Sequence, residues 1–405
     1  MKTNLDSKKI LIISQYFPPD ISGGGTRAYN YAKCLAKRGF DVTVITAFPH
    51  LHGKKPHEFR LKLAKKETEH GIQVIRVWIP SILHSSNINR ILLHSSFIFM
   101  SLLPIFSIKP NIIFASEPNL FAIIPAYIYS KIRGGKIIRI VDDMWPEVMY
   151  ELGLVRSKIL RKILDWIAEF SYSKSEIILP LTNEAKEHIK INYSIDKKKI
   201  IVLEHGVDTN IFYKIKEESK KEFVIMYSGS LGEAYDFDIV VAAAKKLENE
   251  NIVFVIRGKG SQSDYLIKKI RELKLKNIFI DNVLAPEEKI SEKLNRADVF
   301  LVPLRKNKAV GLSLPTKILE YQAIGKPIIC CSNGAPGEYV KRTKSGISIN
   351  SENLGEFLDA IQKLYNEPKL CQEFGNNGYN NVKDNLTFDK IGERLDQIIS
   401  LERNQ

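Results

Sequence analysis

Short apolar runs alternate with longer amphipathic stretches along the whole chain. In the first half the runs are ILIIS, DVTVITA, IQVIRVW, NIIFA, GKIIRIVDD, EIILPLT and KIIVLEHGV. In the second half they are FVIMYSGS, NIVFVIRGKG, NIFIDNV, ADVFLVPL, KPIICCS and SGISI. Apolar runs of this length, separated by helical stretches, are typical of parallel strands in α/β proteins. The pattern predicts two Rossmann-like domains whose parallel sheets face each other across a cleft at the carboxyl ends of their strands.

A polar, charged segment separates the two series of strands. It is DTNIFYKIKEESKKEF, and it follows the last run of the first series. We therefore expect an N-terminal domain over residues 1–207 and a C-terminal domain over residues 208–386. Residues 387–405 are expected to form a helix that crosses back to the N-terminal domain.

The stretch SLPTKILEYQAIGKPII, residues 313–329, predicts a loop, a short helix and a strand. Pro315 suits a first helical turn, and Gly325 suits the position just past a helix end. Lys317 and Glu320 then share one face near the helix N-terminus. A surface ion pair would explain these two residues, and so would a ligand bound at the start of the helix.

Two loops of the second domain combine glycines with polar and basic side chains, in YSGSLG and VIRGKG. Strand ends, glycines and cations together suit a diphosphate, to which the turn GLSLP would add backbone amides. The predicted diphosphate and ribose contacts are Gly229, Ser230, Arg257, Lys259, Val283, Leu312, Ser313, Lys317 and Glu320.

Two loops of the first domain also follow predicted strands. In the first, Gly23, Gly24 and Gly25 precede a helix whose free N–H groups could meet a ligand, although a flexible loop would also explain them. The GxGxxG fingerprint and an acidic residue at the second strand end are missing, which argues against a nicotinamide-dependent oxidoreductase. In the second loop, VDDMWPE, the carboxylates of Asp142 and Asp143 could accept hydrogen bonds from sugar hydroxyls, or one of them could cap a helix.

The charge of the chain is uneven. Lys and Arg number 60 against 46 Asp and Glu, a net charge of +14. Residues 1–205 carry 30 against 18, a net of +12, and the remainder carries 30 against 28, a net of +2. A basic first half suggests an anionic partner. Because no zinc-finger, RRM-like or basic-zipper pattern occurs, a membrane surface is favoured over nucleic acid.

An uncharged run, ILLHSSFIFMSLLPIFSI, covers residues 91–108. It barely reaches the length of a membrane span and contains histidine, serines and proline. Spanning would also separate two strands expected in one sheet. We predict a helix that packs on the domain or lies in a membrane interface, with residues 82–108 as the contact.

The four cysteines, Cys34, Cys330, Cys331 and Cys371, form no CxxC or Cys/His cluster. A zinc site is therefore not expected, and a reducing cytosolic setting is favoured. The N-terminal stretch MKTNLDSKKILIIS lacks the apolar region and cleavage site of a signal peptide.

Taken in order, the motifs resemble those of the retaining GT-B glycosyltransferases of family 4, the glycosyl transferases group 1. They are the Gly-rich first loop, DDMWPE, EHGVDTNIF, YSGSLG, VIRGKG, NRADVFLVPL and PTKILEYQAIGKPII. Their variants look like the subgroup that makes bacterial surface polysaccharides such as O-antigen or capsule, including N-acetylfucosaminyl transferases. The resemblance implies transfer, with retention and without a metal or other cofactor, from a nucleotide sugar, commonly UDP-linked. The acceptor would be a lipid-linked saccharide at the cytoplasmic face of the inner membrane.

The resemblance also implies roles for particular residues. Lys317 and Glu320 would meet the donor diphosphate and ribose, and Asp143 would complete the catalytic set. The first-domain donor contacts would be Gly24 and Gly25, and the acceptor contacts would be Asp142, Asp143 and Trp145.

The chain departs from the family pattern at four positions. Leu312 stands where the first glutamate of the E-x7-E pair is usual, and Ser230 and Tyr235 stand near the usual donor-binding Arg and Lys. His205 replaces the common Asn of the N-G-V-D motif. Two alternatives therefore remain beside the transferase: a nucleotide-sugar 2-epimerase, and a non-catalytic nucleotide-sugar-binding subunit of a glycan assembly complex.

Overall fold

The computed structural model describes residues 9–20, 23–49, 62–80, 87–151, 153–215, 221–282 and 289–401. The chain divides into two compact units. Unit 1 consists of Met1–Gly206 and Phe388–Gln405, and unit 2 consists of Val207–Thr387. Each unit is built on its own sheet, and the predicted α/β fold class is confirmed.

Unit 1 contains a seven-stranded sheet in the order β3-β4-β2-β1-β5-β6-β7. All neighbours are parallel except β3 and β4. Without β3 this is the doubly wound order, in which ligands bind where the strand order reverses, between β1 and β5. The strands are β1 (Lys9–Ile13), β2 (Asp41–Ala47), β3 (Ala64–Glu69), β4 (Ile72–Val77), β5 (Ile112–Ser116), β6 (Lys136–Ile140) and β7 (Ile177–Leu179).

Within the described residues, six helices of unit 1 lie between these strands or directly after the last of them. One apolar cluster joins α2 and α3 to one face of the sheet, through Leu93, Phe97 and Ile123 among others. The helices are α1 (Gly23–Lys37), α2 (Asn87–Ile108), α3 (Ile123–Arg133), α4 (Glu147–Glu151), α5 (Lys158–Ser173) and α6 (Asn183–Asn192).

Unit 2 contains a fully parallel six-stranded sheet in the order β10-β9-β8-β11-β12-β13, with its reversal between β8 and β11. The strands are β8 (Phe223–Ser228), β9 (Ile252–Arg257), β10 (Ile278–Asp281), β11 (Val299–Pro303), β12 (Ile328–Cys331) and β13 (Gly346–Ile349). The helices are α7 (Phe237–Lys246), α8 (Ser263–Glu272), α9 (Ile290–Leu294), α10 (Thr316–Ile324), α11 (Ala335–Arg342), α12 (Leu354–Asn366) and α13 (Pro368–Asn381).

The last helix, α14 (Phe388–Leu401), belongs to unit 1. It packs on α1, where the Cys34 thiol donates to the Phe388 carbonyl at 3.2 Å. Arg38 on α1 also forms an ion pair with Asp396 on α14 at 3.1 Å. The final helix is thus part of the first α/β unit although 181 residues of the chain, Val207–Thr387, separate them in sequence.

The predicted strand KIIVLEHGV is wrong. Within it only two isolated bridges occur, from Ile200 to Ile178 and from Val207 to Thr387. The segment runs beside β7, and Ile201 and Leu203 donate to the carbonyls of Ile178 and Pro180. Because Pro180 has no N–H group, the ladder cannot continue as a regular strand.

The uncharged run 91–108 lies in α2, as its pattern predicts. Among the residues that the structure describes, no helix is long and apolar enough to cross a membrane. The part of the predicted contact segment before Asn87 lies outside the described residues.

Candidate functional site

Helix α10 is fixed at the carboxyl end of β8 by Tyr321. The Tyr321 hydroxyl accepts a hydrogen bond from the Ser228 N–H at 2.8 Å and donates to the Ser228 carbonyl at 2.9 Å. The Tyr321 ring stacks on Phe300 of β11, with ring centroids 3.9 Å apart. These contacts join α10 to both strands at the reversal of the unit 2 sheet, where a doubly wound sheet binds its ligand.

Lys317 lies in the opening turn of α10 and is buried. Its Nζ atom donates to the Tyr227 hydroxyl at 2.6 Å and lies 4.2 Å and 3.9 Å from the ring centroids of Tyr227 and Tyr235. Burial lowers the pKa of the Lys317 ammonium to about 7, and the charge of Glu320 opposes that change. The amine therefore loses its charge more readily than an exposed lysine does, and an arriving anion would stabilise its charged form.

Glu320 lies one turn further along α10 and is half-buried. Burial raises the pKa of its carboxyl to about 7, and Lys317 opposes that change. No hydrogen bond to its carboxylate occurs within the described residues, so both oxygens are available to accept from hydroxyl groups.

Glycines bring the backbone of unit 2 close to Lys317. Gly229 has φ +148°, and a Cβ atom on it would lie 2.7 Å from the Lys317 Nζ. Gly258 has φ +140°, and its Cβ would lie 1.8 Å from the Gly229 carbonyl oxygen. A side chain at either position would displace its neighbour, so this approach requires glycine.

The other predicted donor contacts are placed differently. Arg257 is buried and pairs with Asp281, Nε to Oδ2 at 3.0 Å, whereas Ser230 and Lys259 are exposed. Leu312 ends a short 3-10 turn, Ser313 follows it and is buried, and Val283 lies outside the described residues.

In unit 1, the pattern predicts that the three glycines of the first loop precede a helix. This prediction is wrong, because the glycines lie inside α1. The helix begins at Gly23, so they form its first turn. A Cβ atom on Gly25 would lie 3.0 Å from the carbonyl oxygen of Tyr16. The absence of side chains allows the start of α1 to approach the loop after β1.

Arg27 of α1 is fully buried and connects three parts of unit 1. Its guanidinium donates to the Tyr31 hydroxyl at 2.8 Å and to the Leu203 carbonyl at 2.7 Å. It also pairs with Asp142, Nη1 to Oδ1 at 2.9 Å. Asp142 is thus held by a cation inside the unit.

Glu117 follows β5 and is fully buried. Its Oε2 atom accepts from the backbone N–H groups of Asp142 at 2.9 Å and Asp143 at 3.2 Å. Its Oε1 atom pairs with Arg139 at 3.2 Å. Burial raises the pKa of the Glu117 carboxyl, while Arg139 opposes that change. The Asp142–Asp143 turn is therefore shaped by a carboxylate from the neighbouring strand.

Several buried polar atoms around this turn have no hydrogen-bond partner within the described residues. They are Asp142 Oδ2, Trp145 Nε1 and His205 Nδ1. His205 Nε2 lies 3.9 Å from Asp142 Oδ1, and burial lowers the pKa of its imidazole to about 4. Unpaired buried donors and acceptors are costly.

Sequence reasoning identified Lys317, Glu320 and the Asp142–Asp143 turn, but it missed the residues that hold them. Glu117 carried a usable signal, since it directly follows a buried strand. The other residues that hold the two sites are Arg27, Tyr31, Arg139, Tyr227 and Tyr235. Their relevance depends on contacts such as Arg27–Asp142 and Lys317–Tyr227, between residues that lie 115 and 90 positions apart.

Two family models match the chain. "Glycosyltransferase Family 4" matches residues 21–211, and "Glycosyl transferases group 1" matches residues 208–381. A putative colanic acid biosynthesis glycosyl transferase, WcaI of Escherichia coli (strain K12), is 25% identical over 78% of this chain and 81% of its own length.

A second relative is UDP-Gal:alpha-D-GlcNAc-diphosphoundecaprenol alpha-1,3-galactosyltransferase of Escherichia coli. It is 25% identical over 60% of this chain and 66% of its own length. The solved structure of a sucrose-phosphate synthase from Thermosynechococcus elongatus superposes with a TM-score of 0.80, covering 98% of this chain and 99% of that one at 13% identity. That likeness supports the GT-B fold.

Proposed function

The chain belongs to the group 1 glycosyltransferases of family 4, and we propose that it transfers the sugar of a UDP-sugar donor to a hydroxyl of a lipid-linked saccharide. The proposed pathway class is bacterial surface-polysaccharide synthesis, with retention of configuration. The similarity to WcaI and to a galactosyltransferase named for UDP-Gal and a diphosphoundecaprenol acceptor supports this choice.

The donor half of the proposal rests on Lys317. A buried ammonium at the start of α10, beside a glycine whose backbone approaches within contact distance, suits a diphosphate. Glu320, one turn along and without a partner in the described chain, suits the ribose diol. As the sugar leaves, negative charge grows on the diphosphate, and Lys317 with nearby amides would stabilise it without a metal ion.

The acceptor half of the proposal rests on the Asp142–Asp143 turn. Asp143 is half-buried, so its side chain keeps some surface that a sugar hydroxyl can reach. We assign Asp143 to the reacting acceptor hydroxyl, because a carboxylate there can accept its proton.

Nucleotide release tests this function. Purified protein is incubated with UDP-, GDP- and TDP-sugars, with and without undecaprenyl-diphosphate-linked saccharides, and the product anomer is read by NMR. We expect acceptor-dependent release of UDP and a retained configuration. Lys317→Met should lower the rate about a hundredfold, as loss of a charge-stabilising donor does. Glu320→Gln should chiefly raise the donor KM.

Two exposed residues of α13 serve as matched controls. Lys369→Met and Glu373→Gln remove the same charges from unit 2 at side chains that lie in solvent. Both should retain full activity. Donor turnover that needs no acceptor and gives an epimerised nucleotide sugar would instead establish an epimerase.

We also propose that unit 1 contacts an anionic membrane at the cytoplasmic face through its outer helix layer. This layer consists of α2, α3 and α5, which touch through Phe106–Tyr129 and Tyr127–Phe170 contacts. It exposes large apolar side chains that are flanked by cations such as Lys158 and Lys162. These apolar side chains are Leu92, Phe99, Leu103, Ile132, Ile159, Ile163 and Trp166.

Vesicle flotation tests the membrane proposal. Wild type should float with vesicles that contain phosphatidylglycerol and should bind pure phosphatidylcholine weakly. Trp166→Ser, which removes an aromatic side chain that is 60% exposed, should weaken binding about tenfold. Phe279→Ser on unit 2, 54% exposed, is the matched control and should float like wild type. Equal flotation of both variants with wild type would contradict this surface.

A further inference from the structure

Lys317 differs from a second lysine of unit 2 that also contacts a tyrosine. Lys269 donates to the Tyr265 hydroxyl at 2.9 Å and pairs with Asp238 at 2.6 Å, and these bonds raise the pKa of its ammonium. Lys317 has its tyrosine, but within the described residues no carboxylate oxygen lies within ion-pair distance of its Nζ atom. When an ammonium is buried without a counter-ion, no ion pair offsets the free-energy cost of removing its hydration shell.

The position of Lys317 is nevertheless fixed. The Tyr227 hydroxyl donates to the Ser230 carbonyl at 2.5 Å, which leaves a lone pair to accept from the Lys317 Nζ. The two rings around Nζ, those of Tyr227 and Tyr235, are in contact at 5.3 Å, and Phe237 packs on the Tyr227 ring at 4.9 Å. Tyr227 is buried, which raises the pKa of its phenol and keeps it uncharged. The two tyrosines therefore fix the position of the Lys317 amine but supply no negative charge to balance its ammonium form.

We propose that Tyr227 and Tyr235 are positioning residues that hold the Lys317 amine where the donor diphosphate binds, and that Lys317 becomes fully protonated only when the diphosphate is bound. This rests on the proposed function. On binding, one proton passes from solvent to Nζ, and the resulting ammonium pairs with a phosphate oxygen. A tenfold change in affinity for each pH unit follows wherever the free lysine is neutral and the bound lysine is charged.

Other charged groups near Lys317 do not replace the missing counter-ion. Glu320, on the same helix, favours the ammonium through its charge but does not form an ion pair with it. Asp236 beside Tyr235 caps α7 by accepting from the Asp238 and Ile239 N–H groups. Arg305 donates to the Tyr235 carbonyl at 3.1 Å and is itself a cation. The phosphate is therefore the group that supplies the negative charge.

Calorimetry of UDP binding at pH 8.0, in HEPES and in Tris, measures the proton uptake. The two buffers differ in ionisation enthalpy, so their observed binding enthalpies differ in proportion to the protons taken up. Wild type should take up roughly one proton per UDP. Its affinity should fall about tenfold between pH 7.5 and pH 8.5. Lys317→Gln should bind UDP with equal enthalpy in both buffers and with a flat pH profile.

The tyrosine variants separate positioning from simple packing. Tyr227→Phe and Tyr235→Leu should each weaken UDP binding at least fivefold and reduce the proton uptake while the chain stays folded by circular dichroism. Tyr265→Phe, at the exposed Lys269 pair, is the control and should match wild type. If UDP binds wild type without buffer dependence, or the tyrosine variants keep full uptake, the inference is wrong although the proposed function stands. If UDP, GDP, TDP and ADP all fail to bind, the proposed function fails and the inference with it.

Discussion

At the scale of single residues, the proposed donor site should depend on one glycine. Gly229→Ala would place a methyl group 2.7 Å from the Lys317 Nζ, at a backbone φ of +148° that L side chains rarely adopt. We expect Lys317 to be displaced and UDP affinity, measured by calorimetry, to fall at least tenfold. The backbone strain should also lower the melting temperature, because such conformations cost about 1–3 kcal/mol.

Gly232 supplies the matched control for this substitution. It belongs to the same loop after β8, but a Cβ atom there would meet only the Ser230 Oγ, at 3.9 Å. Gly232→Ala should therefore bind UDP as wild type does. Equal weakening by both substitutions would show that the loop tolerates no side chain anywhere, and that the approach of Gly229 to Lys317 is not the cause.

The sequence predicts the placement of residues well when it is local. Lys317 and Glu320 lie together near the start of α10, as their spacing predicts, because neighbours along a helix share a face. Tyr227 could not be connected with Lys317, since 90 residues separate them and only the β8–α10 packing brings them together. For Arg257, the neighbouring glycines suggested a phosphate contact. They gave no indication that Asp281 forms an ion pair with this side chain.

At the scale of elements, Glu117 controls the turn after β6 from the end of β5. In Glu117→Gln, one amide oxygen must serve either the two backbone N–H groups or Arg139, and the amide nitrogen would repel whichever donor it faces. We expect the kcat/KM for the acceptor to fall at least tenfold, as the Asp142–Asp143 turn loses its shape. UDP affinity, which we propose to depend on unit 2, should change less than twofold.

Glu204→Gln is the control for that experiment. Its carboxylate pairs with Arg394 at 2.8 Å, whereas the N–H groups of Asp142 and Asp143 donate to Glu117. It should retain acceptor kinetics. A Glu117→Gln variant that loses UDP binding and turnover to the same extent would contradict a local role, since general unfolding would then explain both losses.

Apolar patterning predicted all the parallel strands, since strands buried on both faces are continuous apolar runs. It missed β3, whose AKKETE sequence is polar because this antiparallel edge strand is only half covered. It also predicted a strand at residues 199–207 that Pro180 on the neighbouring strand prevents. The failures thus lie at sheet edges, where hydrogen bonding with a particular neighbour, and not hydrophobicity, decides the structure.

At the scale of the whole molecule, the two units can be observed separately. The three tryptophans, Trp78, Trp145 and Trp166, all belong to unit 1. Intrinsic fluorescence therefore reports the unfolding of unit 1, while far-ultraviolet circular dichroism reports both units.

His205 should make unit 1 sensitive to acid. Burial lowers the pKa of its imidazole from 6.5 to about 4, so the unfolded chain binds more protons between those values and stability falls as the pH falls from 6.5 towards 4. His205→Asn removes this group. We expect wild type to lose about 2 kcal/mol more than the variant between pH 7 and pH 5, measured by urea unfolding with tryptophan fluorescence. His70→Asn, an exposed histidine at φ +48° that Asn tolerates, should behave as wild type does. Parallel pH dependence of wild type and His205→Asn would show that other groups cause the acid sensitivity.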